Sequence, residues 1–177
     1  MKHALIGGVV GFGVRRAGAA VLVLVGCVAG AGLFVSTGCQ PTSVRGVATQ
    51  ESRYKDVDRT AEALRSAIES EGLHCPGIRN LNKSMAKHGV RLAKQVRVVE
   101  FCKADYAHDM LEANSEVAVL MPCTFAVYEG DDGKVYISRL NQHLMAQMFG
   151  PEVAKVMGER VIRDEAKVFE AYDRSGE

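Results

Sequence analysis

QVRVVEFCKADYAHDMLEANSEVAVLMPCTFAVYEGDDGKVYISRLN, residues 95–141, decides the fold. Its first eight residues are rich in β-branched and aromatic side chains and predict a strand that closes on Cys102. Residues 105–114 switch to helical spacing, with Tyr106, Met110 and Leu111 on the apolar side. Pro122 sits where a strand can begin but not continue. Cys123, Phe125 and Val127 then alternate with Thr124, Ala126 and Tyr128, and Asp131-Asp132-Gly133 is a hairpin turn signal. Residues 134–139 return as the paired strand. Strands and helices mix without a regular βαβ repeat, so the class is α+β.

Outward from this block the pattern continues. Upstream, Asp58 and Thr60 are candidate helix caps, Ala61, Leu64, Ala67 and Ile68 follow at helical spacing, and Gly72 stops the run. Pro76 and Gly77 break the chain before Ile78, and residues 84–89 read as one polar helical turn. Downstream, residues 144–149 predict a short helix. Pro151, at a first-turn position, opens a long helix to about Tyr172.

In combination these residues resemble the bacterial family catalogued as domain of unknown function 302. Cys102, Ala107, Leu111, Pro122, Cys123, Val127, Asp132, Gly133 and Asn141 sit at the matching places. The 60–72 helix fits the family's opening, and Leu144-Met145-Ala146 with Met148-Phe149-Gly150 fits its later part. The resemblance covers roughly residues 55–170. It implies a curved antiparallel sheet with helices packed on one side, like the TATA-binding-protein fold, and a homodimer. It does not carry DNA binding with it, because fold is not function. The family pattern brings no established activity.

The N-terminal side is of another kind. Residues 17–38 form 22 positions without a charge, and as a helix they would reach roughly 33 Å, enough for a hydrocarbon core of about 30 Å. Arg15 and Arg16 precede the run, which keeps that end cytoplasmic and sends the rest across the membrane. Two anchors fit. One is an uncleaved transmembrane helix; the other is a lipoprotein signal peptide, with Ser36-Thr37-Gly38-Cys39 resembling a lipobox and Cys39 as the lipidated residue. Free secretion is a third outcome. The expected organisation is a cytoplasmic n-region at 1–16, the membrane segment at 17–38, a polar tether at 39–53 and an extracytoplasmic domain at 54–177.

The chain has 177 residues, 22 basic and 21 acidic. Only Lys2, Arg15 and Arg16 fall within residues 1–39, leaving the remainder slightly acidic, so a nucleic-acid footprint is not expected. At 47% hydrophobic and 24% charged, the chain is not a disordered polyampholyte. No phosphate loop, dinucleotide fingerprint, CxxC, HExxH or GxSxG is present, which argues against the common hydrolase and nucleotide sites. Glu129, Asp131 and Asp132 belong to a turn and read as solvated.

The cysteines carry the most chemistry. Cys27 lies in the anchor; Cys75, Cys102 and Cys123 lie in the folded unit, where export would expose them to oxidising conditions. Three readings of Cys102 and Cys123 stand: small buried hydrophobes at strand ends, a disulfide, or a shared thiolate site for a metal or haem. If their strands are antiparallel neighbours, as the family implies, both thiols lie at one end of the sheet. His74, His88, His108 and His143, with Met85, Met110, Met121, Met145, Met148 and Met157, extend the soft-ligand inventory toward copper(I) or haem iron. Met at helical spacing is also ordinary core. Arg79, Lys83 and Lys87 form a basic stretch that reads as a solvated face or as an attraction to anionic lipid head groups.

The expected function is a membrane-tethered extracytoplasmic domain, non-enzymatic, that binds a small ligand, metal or haem. The alternatives are a redox or cofactor-dependent enzyme using Cys102 and Cys123, and a structural accessory subunit of a membrane complex.

Overall fold

The structure is a computed structural model that describes residues 46–175. The expected membrane segment at 17–38 and Cys39 lie outside them. Among the described residues no helix is long and apolar enough to cross a membrane.

Five strands, β1 (Val47–Glu51), β2 (Ile78–Asn80), β3 (Val96–Phe101), β4 (Cys123–Glu129) and β5 (Val135–Leu140), form one sheet in the order β1-β5-β4-β3-β2, every neighbour antiparallel. The class is α+β, as the sequence predicts. The helices are α1 (Val57–Ser70), α2 (Leu81–Ala86), α3 (Ala104–Ala113), α4 (Gln142–Ala146), α5 (Pro151–Lys155) and α6 (Ile162–Arg174). Arg97, Val99 and Phe101 of β3 are buried while Val96, Val98 and Glu100 are only half-buried. Phe125 and Val127 of β4 and Val135 and Ile137 of β5 continue the buried face, so the period-2 pattern gives the sheet one covered side. Helices α1 and α6 cover it.

The tether expected over 39–53 ends sooner than predicted, because Val47–Glu51 is the edge strand β1, paired with β5 from Val47↔Leu140 to Glu51↔Tyr136. Four of its five residues are exposed, so no apolar alternation announces it. Two further boundaries move. The cap of α1 is Asp56, whose side chain accepts from the Arg59 N–H at 2.7 Å. The polar helical turn falls at Leu81–Ala86, capped by Asn80, rather than at 84–89. Leu111, expected on the apolar side of α3, is 37% exposed.

The larger core lies between the sheet and the α1/α6 pair. Phe101 stacks on Phe125 at 4.5 Å between ring centroids, and Phe169 meets Phe125 edge-on at 5.2 Å. Buried polar groups there are paired: the Ser52 hydroxyl is 2.8 Å from both the Thr60 and the Tyr172 hydroxyls. Arg97 is buried on the covered face and forks onto Asp58 of α1, with Nε–Oδ1 at 2.6 Å and Nη2–Oδ2 at 3.0 Å. Asp58, expected as a cap, thus ties the first turn of α1 to β3.

A smaller core gathers Tyr106, Met110, Val117, Ala146, Val153, Val156, Met157 and Val161 beyond the sheet's end. The long helix opened by Pro151 serves both cores. It runs as α5, a π turn at Val156–Val161, and α6. Val153 to Val161 pack in the smaller core; Val168 to Tyr172 pack in the larger one.

Candidate functional site

Strands β3 and β4 are antiparallel, with Phe101 opposite Cys123. Cys102, one residue past Phe101, is therefore at the same end of the sheet as Cys123. An isolated bridge fixes its backbone: Cys102 N–H donates to His74 O and His74 N–H to Cys102 O, both at 2.9 Å. Cys123 contacts both cores. The two thiols line a partly enclosed cleft of about 20 Å³, together with Met110, Met121, Phe101 and Tyr106. This volume takes one water-sized guest or a single ion. Haem has no room there, since pockets for ligands of that size start at roughly 300 Å³.

Cys75 stands apart, packed against the larger core with its thiol 3.8 Å from Gly77 O. All three thiols are free. His74 reaches the site through its backbone. Among the described residues no three His, Cys, Asp or Glu side chains converge as metal ligands.

Behind Cys123 lies a buried polar chain. The Gln142 amide reaches toward the Cys123 thiol and donates to Glu165 Oε1 at 3.1 Å. Its own Oε1 is buried without a partner. The Arg139 guanidinium is 3.8 Å from Glu165 Oε2, too far to neutralise it fully. Burial, opposed by Gln142 and Arg139, pushes the Glu165 carboxyl up to about 7. Burial also pushes the Cys123 thiol up to about 12, helped by the nearby charges of Glu165 and Cys102. A thiol held there is protonated at neutral pH and is not a nucleophile.

The rim is ionic. Tyr106 OH donates to Asp164 Oδ2 at 2.5 Å and the Lys103 ammonium to the same oxygen at 3.2 Å. Burial works to raise the Asp164 carboxyl, but these two donors outweigh it and hold it below the usual range. The Arg160 guanidinium sits 4.3 Å over the Tyr106 ring and bridges Asp105 and Asp109. Tyr106 is thereby fixed at the cleft from three sides.

Cys102 and Cys123 are the candidates that sequence spacing brings forward and the fold brings together. Gln142, Glu165, Asp164 and Arg139 were missed. The signal for Glu165 was present: it falls on the apolar stripe Val161, Glu165, Val168, Tyr172, where a carboxylate is out of place.

An open five-stranded antiparallel sheet, helices on its covered face and a two-cysteine cleft at one end define a small α+β domain. The family described as "Domain of unknown function DUF302" matches residues 48–171, and the chain belongs to it. The crystal structure of the uncharacterized conserved protein DUF302 from Bacillus stearothermophilus aligns at a TM-score of 0.62 and 18% identity, covering 73% of this chain and 97% of that one. At that identity the likeness shows the fold. No curated protein matches the chain.

Proposed function

We propose that the protein is a membrane-tethered extracytoplasmic binding domain that takes a small guest in the Cys102–Cys123 cleft. One observation carries the reading: the two thiols share a small cleft lined by no carboxylate and no imidazole. Such an apolar, sulfur-bearing lining suits retention of a small guest. The uncharged run at 17–38 behind Arg15-Arg16 supports the tether, either as a transmembrane helix or as a lipoprotein signal ending at Cys39. The sheet is taken to be the curved, TATA-binding-protein-like one. Its half-buried face, with Val98, Ala126 and Ser138, is the surface for a homodimer.

Alkaline phosphatase fused after Glu177 tests the topology. An active fusion is expected, and an inactive one beside a fluorescent cytoplasmic reporter at the same site overturns it. Cys39→Ser separates the anchors, because only a lipoprotein changes size and loses membrane retention. For the cleft, the measurement is elemental and mass analysis of the full chain purified in mild detergent. A guest present in the wild type and absent from Ala107→Leu, which fills the cleft, is expected. An identical guest content in both overturns the reading.

A further inference from the structure

We infer that the guest is a soft monovalent metal ion of the copper(I) and silver(I) class, held by the sulfurs of Cys102, Cys123, Met110 and Met121. The inference rests on the reading of the cleft as a binding site and names what it binds. Four of the side chains lining the cleft end in sulfur. They arrive from separate places in the chain: Cys102 after β3, Met110 within α3, Met121 just before β4 and Cys123 as its first residue. A core filled only for volume has no need to gather two cysteines and two methionines around one void of about 20 Å³.

The donor set selects the ion. Calcium and magnesium require six or more oxygens, and no carboxylate lines the cleft. Structural zinc requires four nitrogen or thiolate donors, and only two thiols are here. Two thiolates supplemented by thioethers suit copper(I), which accepts low coordination numbers and soft ligands. Binding exchanges protons for the ion: two thiols and one monovalent cation give a bis-thiolate complex of charge −1 and two protons released to water. No electron moves and the ion keeps its oxidation state.

The test is anaerobic titration of the full chain in detergent with copper(I), against a chromophoric copper(I) chelator. Cys27, Cys39 and Cys75 are replaced by Ser so that only the two cleft thiols remain. One ion per chain is expected, with only sulfur in its first coordination shell by X-ray absorption. Met110→Leu and Met121→Leu keep the core volume and should each weaken binding about tenfold, comparable to losing a supporting group at other metal sites. Cys102→Ser or Cys123→Ser should abolish it. Unchanged affinity in both Leu variants overturns the thioether assignment. Absence of copper(I) binding, with an organic guest still lost from Ala107→Leu, overturns the metal and keeps the binding site. Indifference of every guest to Ala107→Leu and to both Ser variants overturns both.

Discussion

The two cores of this domain differ in how completely their polar groups are satisfied. In the larger one, Arg97 meets Asp58, and Ser52, Thr60 and Tyr172 satisfy each other. In and beside the smaller one lie the sulfur-lined cleft, the orphaned Gln142 oxygen and a carboxyl held up to about 7. Buried polar groups without full partners are costly. They persist where something other than stability is selected. The larger core reads as scaffold, the smaller as the part that does the binding.

The contrast breaks most easily at Phe125. Removing this fully buried ring from its stack with Phe101 should cost about 4 kcal/mol and lower the chemical-denaturation midpoint of the whole domain. Val153→Ala in the smaller core should cost about 2 kcal/mol, with faster amide exchange confined to α3, α4 and α5. Global loss of protection in both variants would merge the two cores into one unit.

Glu165 gives the next largest effect. Its folded value lies above its unfolded one, so its contribution is fully present below pH 4.5 and is lost as pH rises through about 7. Across that window stability should fall on the order of 3 kcal/mol. Glu165→Gln should flatten the profile in urea titrations at several pH values. An unaltered slope in that variant would move the effect to another group.

Asp58→Ala should cost about 2 kcal/mol, because it removes the fork from a buried guanidinium that still has Asn82 and the Val96 carbonyl as acceptors. Smallest is Tyr172→Phe, at about 1 kcal/mol, since Ser52 keeps its bond to Thr60. If either change alters metal content or thiol reactivity at the cleft while the domain stays folded, the division between scaffold and site fails.

The strands β3, β4 and β5 were legible because one face is buried and the other is not, which writes a period of two into 95–139. Strand β1 was not, because an edge strand with four exposed residues carries no such period. Cys102 and Cys123 could be brought together from strand ends and antiparallel pairing alone. Arg97 could not be explained locally, since its partner Asp58 is 39 residues earlier. Glu165 was marked only by its place on the apolar stripe of α6, and Gln142 carries no local signal, since its burial depends on α4 meeting α6, a tertiary fact.

The π turn at Val156–Val161 has an evolutionary side. A single π turn is how an α-helix houses one surplus residue, its hydrogen bonds closing one position later. The excess is absorbed where the helix passes from one core to the other, so neither buried stripe has to slip. Homologues with an unbroken α-helix here should therefore be one residue shorter between the positions of Val153 and Glu165. An alignment that spreads that gap over the flanking turns would misplace the carboxylate behind Cys123.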